Sequence, residues 1–260
     1  RLPIEGANLP GVVLNTDFLR QVRTGALTSV PDRVAVLGGG SVAFDCARSA
    51  IRLGAREVHV ICLEAEEKMT ADPAEISEGR EEGVLVHPGH SFVRITGTDH
   101  AEGVEVLEVL SFTFDEQRRA VIQTKPGSEE TIPADLVIFA VGQRPNLGPD
   151  FGLQQDRGGK ICVDDRGMTD CPGVFSCGDV VTGTRSVLEA IAAGRSAASE
   201  IDRFLGGSGE IDEVLTSGAD NKPVYLGQQK GFAELTRMGN HVADPEVRKT
   251  SFDPVEQPVE

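Results

Sequence analysis

Tryptophan is absent from this 260-residue chain, and tyrosine occurs once, at Tyr225. Set beside 30 glycines, that scarcity suits a sheet-and-turn α/β protein better than a helical bundle. Positive charge is also scarce: 25 Lys and Arg face 41 Asp and Glu, for a formal net charge of −16. Such a chain lacks the positive field that binds phosphate backbones, so neither nucleic acid nor an anionic membrane is expected as a partner. Long apolar runs are missing too. The longest, Leu136 to Val141, falls far short of the ~20 residues of a membrane span, so none is expected. The five cysteines (Cys46, Cys62, Cys162, Cys171, Cys177) form no C-x-x-C pair. A disulfide framework, a redox-active disulfide and a zinc ribbon all lack support, and buried reduced thiols in a cytoplasmic protein are expected instead. The opening RLPIEG carries no basic-then-apolar block, so no secretory leader is expected; with no initiating Met, Arg1 is not expected to be the native start.

What is present is ordered. After a turn-rich entry come a short helix around Thr16 to Val22 and a connector to about residue 30. The strand RVAVLG then leads into a helix from Ser41 to Leu53, with Ala43, Ala47, Ala50 and Gly54 at helical spacing and Gly54 as its stop. The second strand, EVHVICL, has the apolar content of a strand buried on both faces. A polar helix, Pro73 to Glu82, ends at Gly83. Residues 84 to 132 hold short β-rich runs that read as an antiparallel meander, before DLVIFAVG restores a buried parallel strand. The expected fold is α/β: a Rossmann-type doubly wound sheet with an antiparallel β-meander insertion. Beyond Gly148-Pro149, short strands (KICVDD, VFSCGD) precede a helix from Ser186 to Leu205 whose apolar stripe is Val187, Ile191, Gly194, Ala198, Ile201 and Leu205. The tail from Gly206 onward is expected to pack loosely.

The turn VLGGGSVAFDCARSA carries G-x-G-x-x-A at Gly38, Gly40 and Ala43. Gly38 permits the tight strand-to-helix turn, Gly40 lets the backbone approach a pyrophosphate, and Ala43 lets the helix pack on the strand. The helix end at Ser41 directs N–H groups and a positive dipole at phosphates. Glu64 lies about twenty positions on, where an acidic residue meets a ribose diol. A plain tight turn is the alternative. In DLVIFAVGQRPN, the strand ends in Ala140-Val141-Gly142, so its backbone can pass beneath a dinucleotide, with Gln143 and Arg144 at the carboxyl edge of the sheet. In FSCGDVVTGTRSVLEAIAAGRSAA, Gly178-Asp179 and the helix start at Ser186-Val187 suit half of a flavin site: a carboxylate for a sugar hydroxyl and helix donors for a reduced flavin. The alternative is a helix capped by Ser186 after a loop. His59 and His87 read as strand residues, and Glu189 as either a flavin neighbour or a solvated helix residue.

These residues carry a resemblance. LPIEGANLPGVV…DFL, VAVLGGGSVAFDCARSAIRLGA, EEKMTADPAEISEGREEGV, DLVIFAVGQRPN and GMTDCPGVFSCGDVVTGTRSVLEAIAAGRSAASEI resemble, in order, the glutamate synthase small-subunit family, within the two-dinucleotide flavoprotein oxidoreductases. The resemblance covers Leu2 to about Leu205. It implies a nicotinamide domain inserted between halves of a flavin domain, with the adenylate-binding glycine turn of FAD lying upstream. The implied organisation is residues 1–30 as a connector from the FAD domain, 31–147 as the NAD(P)-binding domain, 148–206 as the C-terminal part of the FAD-binding domain, and 207–260 as a tail. The implied cofactor residues are Gly38, Gly39, Gly40, Ser41, Val42, Ala43, Leu63, Glu64, Ala140, Val141, Gly142 and Gln143 for NAD(H) or NADP(H). Gly178, Asp179, Ser186 and Val187 are implied for FAD, which is expected to bind only if the missing N-terminal segment is supplied. An iron–sulfur or large-subunit partner is implied as well.

Members preferring NADPH usually carry two arginines where this chain has Leu63-Glu64. NADH is therefore expected to bind better, with Glu66 and Glu67 adding negative field and Lys68 as the only nearby cation. Hydride transfer needs stacked rings more than side-chain acid–base work, so no catalytic residue is named. The rival reading is a nucleotide-binding regulatory module that carries no electrons. Retention of Gly178-Asp179 and the following helix favours the enzyme. A disulfide reductase of the thioredoxin-reductase kind is opposed by the absent C-x-x-C pair.

Overall fold

Strand β2 (Arg33–Leu37) sets the architecture. Its alternate side chains enter two different cores: Val34 and Val36 face helices, while Ala35 and Leu37 face the other side, all at 0% exposure. That is the signature of a strand covered on both faces. In the computed structural model, which describes residues 2–115, 120–148, 151–211 and 241–257, β2 pairs in parallel with β3 (Glu57–Ile61) and with β9 (Leu136–Phe139). The sheet is completed by β1 (Val12–Leu14) beyond β9 and β4 (Leu85–His87) beyond β3, giving the order β1-β9-β2-β3-β4.

One face carries α1 (Asn15–Arg23), α2 (Ser41–Arg52) and α3 (Pro73–Glu81), with Phe18, Phe44, Ala43 and Ala47 in the buried cluster. Gly54, at φ 97°, terminates α2 as the sequence indicated. Asp72 caps α3 by accepting the Ala74 N–H at 2.8 Å, and Pro73 sits at the first helical position, where its missing N–H costs nothing. The other face carries the antiparallel sheet rather than helices: β5 (His90–Thr96), β6 (Gly103–Phe114), β7 (Ala120–Thr124) and β8 (Glu130–Pro133). Ile95, Val104, Val106 and Ile132 from it pack on Ala35, Leu37, Ile61 and Val137. The Rossmann-type α/β fold with its meander insertion is therefore present, and the meander is the second covering layer.

The chain divides into two compact units, one of residues 1–141 and 239–260, the other of residues 142–238. In the second, the expected strands KICVDD and VFSCGD are absent; single bridges join Gln155 to Ile161 and Met168 to Phe175. Aspartates explain the difference. Asp156 accepts the N–H groups of Gly158 and Lys160 at 2.7 and 2.9 Å, and Asp164 accepts those of Arg166 and Met168 at 2.9 Å. These side chains bend the backbone into turns that compete with a ladder. Two helices follow in sequence: the short α4 (Asp179–Thr182) and the long α5 (Val187–Phe204).

The tail corrects the expectation of loose packing where it is described; residues 212–240 and 258–260 lie outside the described residues. β10 (His241–Val242) pairs with β11 (Glu256–Gln257), and between them α6 (Pro245–Arg248) delivers Arg248 into the first unit at 3% exposure. Arg248 donates to Glu81 at 2.6 Å and lies 3.7 Å from Glu82, whose fully buried carboxylate also takes Arg48 at 2.7 Å and Arg52 at 2.8 Å. Burial acts to raise the Glu82 pKa, but the arginines outweigh it and hold the carboxyl below its usual range.

Candidate functional site

The glycine turn is clamped between two strands. Gly38 donates to the Ile61 carbonyl at 2.8 Å, and Ala140 donates to the Leu37 carbonyl at 2.7 Å. A side chain on Gly38 would meet the Ala140 carbonyl at 2.4 Å, and its φ of +132° is already a glycine conformation. A Cβ on Gly39 would meet Cys62 at 2.8 Å. Gly40 precedes α2, and no side chain caps that helix. Ala43 is fully buried against the sheet. The turn thus presents bare backbone and an uncapped helix start, an arrangement that fits a pyrophosphate.

The loop after β3 folds over this turn. Ala71 donates to the Gly39 carbonyl at 3.1 Å, and Gly89 donates to the Glu64 carbonyl at 2.8 Å. The Glu64 carboxylate lies 3.4 Å from where a Gly39 side chain would begin, and the Thr70 hydroxyl lies 3.4 Å from the same point on Gly40. Glu64 and the glycines are therefore brought together, as the spacing indicated. A cavity of about 350 Å³ opens beside them, with Leu63, Glu64, Lys68, Thr70 and the β6 residues Leu110 and Phe112 among its lining. The β6 wall escaped sequence reading. Its one signal is a bulge: pairing with β7 skips between Val109 and Ser111, and Leu110, at the skip, is 62% exposed.

Lys68 is not the only nearby cation, as the sequence had suggested. Arg80 of α3 pairs with Glu66 at 2.8 Å and holds the Glu66 carboxyl below its usual range. Cys62 is buried and its thiol pushed up to about 12 by burial and then by Glu64; Cys46 is likewise pushed up to about 12 by burial. Neither has the thiolate character of a reactive cysteine. His59 and His87 are strand residues, as expected, but they are joined. His59 shares one hydrogen bond with His87 and another with Glu57, each at 2.9 Å.

Ala140 is buried beneath Gly38, with the Val141 backbone beside it, whereas Gly142 and Gln143 are exposed and belong to the second unit. In that unit a cavity of about 250 Å³ is lined by Gly178, Asp179, Thr182, Arg185, Glu189 and small residues of α5. Gly178 adopts φ 72°, ψ −156°, a conformation open to glycine alone, although no atom would crowd a side chain there. Asp179 accepts the Arg185 N–H at 3.3 Å, which leaves carboxylate lone pairs for a ligand hydroxyl. Ser186 and Val187 do not line this cavity. Ser186 caps α5 by accepting the Glu189 N–H at 3.2 Å, while the Glu189 carboxylate accepts the Ser186 N–H at 3.0 Å, so Glu189 is a capping residue rather than a free one. Among the described residues, no cluster suited to a metal ion occurs and no helix is long and apolar enough to cross a membrane.

Comparison with known proteins agrees with this geometry. The family model for pyridine nucleotide-disulphide oxidoreductases matches residues 1–194. The chain is 37% identical over 204 residues to the NADP(+)-dependent formate dehydrogenase subunit beta of Moorella thermoacetica, covering 77% of this chain and 28% of that one. It is 34% identical over 214 residues to the glutamate synthase [NADPH] small chain of Escherichia coli K12, covering 76% and 45%. It thus spans less than half the length of either relative. In fold it is similar to Mycobacterium tuberculosis FprA in complex with NADPH (TM-score 0.61, 18% identity, 79% of this chain and 60% of that one). It is similar in fold also to the thioredoxin reductase of T. acidophilum (TM-score 0.58, 22% identity, 79% of this chain and 62% of that one). The family match covers most of the chain: the protein belongs to the pyridine nucleotide-disulphide oxidoreductases.

Proposed function

We propose that this chain binds a nicotinamide dinucleotide on the Gly38–Ala43 turn, with NADH preferred over NADPH, as part of a flavoprotein oxidoreductase similar to the glutamate synthase small subunit. In this reading residues 31–147 serve the nicotinamide coenzyme. Residues 148–206 contribute the C-terminal part of an FAD site, 1–30 connect to its other part, and 207–260 form a tail. The N–H groups at the start of α2 hold the pyrophosphate, and the Glu64 carboxylate accepts the 2′- and 3′-hydroxyls of the adenosine ribose. Leu63, Leu110 and Phe112 offer apolar surface to the base. Asp179 accepts a sugar hydroxyl of FAD. Bound FAD supplies the hydride acceptor, and electrons pass on to an iron–sulfur or large-subunit partner. The support for a partner is that the relatives are named as a beta subunit and a small chain.

The observation that carries the reading is the Glu64 carboxylate beside Gly39. A carboxylate there welcomes a diol and repels a 2′-phosphate, although the relatives are named for NADP(+) or NADPH. Titrating both coenzymes against the chain at moderate salt tests it. Tighter NADH binding, weakened about tenfold or more by Glu64→Ala, is expected. Tighter NADPH binding overturns the preference, and binding of neither overturns the site. Binding of both without electron transfer to added FAD, once the upstream flavin segment is supplied, favours the regulatory module.

A further inference from the structure

The loop that carries Glu64 is fastened over the glycine turn at both ends, by Gly89 to Glu64 and by Ala71 to Gly39. Between those ties runs a single 3-10 turn, Glu66–Lys68. Glu64 and Lys68 both line the cavity next to the turn. Glu66 lies two residues beyond Glu64 on that loop, between the ties at Glu64 and Ala71. Lys68 makes no ion pair among the described residues. Arg80 does: its guanidinium lies 2.8 Å from Glu66, and both side chains are about half exposed (42% and 55%). A guanidinium is the side chain best matched to a phosphate dianion, since its donor fork bonds two oxygens at once. Here one nitrogen of that fork, Nη1, is paired with the Glu66 carboxylate on the loop that carries Glu64.

We propose that Glu66 sequesters Arg80, and that this ion pair is a second determinant, beside Glu64, against a 2′-phosphorylated dinucleotide. A phosphorylated coenzyme must break the pair before it can use the guanidinium, and the freed Glu66 then repels it. A coenzyme with a free 2′-hydroxyl meets neither cost. The inference rests on the reading that the 64–70 loop receives the adenosine ribose.

The test is the ratio of NADPH to NADH dissociation constants for the 260-residue chain and three variants at fixed moderate salt. Glu66→Gln is expected to lower that ratio about tenfold, the gain typical of one freed charge-assisted contact to phosphate. Glu66→Gln with Arg80→Gln is expected to return it to the starting value. Glu67→Gln, the same change of charge one residue on, is expected to leave it within about twofold. All the altered side chains are exposed, and an unchanged thermal midpoint confirms the fold. An unchanged ratio in Glu66→Gln overturns the proposal, as does a gain that persists without Arg80 or is matched by Glu67→Gln. If the unaltered chain binds NADPH more tightly, the Glu64 preference falls while these arms still decide the role of Glu66. If it binds neither coenzyme, both readings fall.

Discussion

The two units use apolar residues in opposite ways. In the first, every side chain of β2 from Val34 to Leu37 is buried, and the turn that follows is pinned between β3 and β9. In the second, α5 has an equally regular apolar stripe, yet Ala197 is its sole buried residue among those described, and Val187, Leu188 and Leu205 are 75 to 78% exposed. Periodicity is the same signal in both. It reports that a face is apolar, but not whether the same chain covers it. A site built between strands is complete in itself; a site that leans on an uncovered helix face depends on what meets that face.

The largest expected effect that sharpens this contrast lies in the first unit. Glu82→Ala leaves Arg48, Arg52 and Arg248 facing one another without their central carboxylate. It should cost about 3–5 kcal/mol in denaturant unfolding, whereas Arg248→Met, which spares the other two contacts, should cost distinctly less. Next, Gly38→Ala forces a Cβ against the Ala140 carbonyl at a φ few residues tolerate. Strain alone contributes about 1–3 kcal/mol, and coenzyme affinity should fall with it. Gly54→Ala, with φ +97° but open space around it, isolates the backbone contribution and should spare binding.

A smaller effect depends on pH. Burial, followed by the charges of His59 and His90, lowers the His87 pKa from its ordinary 6.5, and Glu130 opposes this only in part. Above pH 6.5 the ring is neutral both folded and unfolded, so it contributes no pH dependence. As pH falls through 6.5 the unfolded chain takes up a proton that the folded chain resists, and stability declines. Chemical unfolding midpoints measured from pH 7.5 down to 5.5 should therefore fall less in His87→Gln than in the parent. The smallest effect belongs to the second unit. Val187→Ser, Leu188→Ser and Leu205→Ser should each change stability by no more than about 0.5 kcal/mol, because these side chains are exposed among the described residues. A loss above about 2 kcal/mol for any of them would break the contrast.

Much of the first unit was legible without coordinates because its signals are local. A glycine triplet between an apolar run and an alanine-spaced helix implies strand, turn and helix, and Glu64 follows at the interval a strand requires. Aspartates at 156 and 164 look harmless within a β-like run, yet their carboxylates bond the backbone a few residues on and replace a ladder with turns. Sequence alone determined that Gly38 to Ala43 and Glu64 meet, since chain connectivity across one β-α-β unit leaves them nowhere else to go. Tertiary structure alone decided that Arg80 answers Glu66, that Leu110 walls the cavity, that His59 and His87 join, and that Arg248 returns from the far end of the chain to Glu82. Each of those pairings closes a loop of the chain, and which distant charge fills a buried or half-buried vacancy follows from packing rather than from spacing.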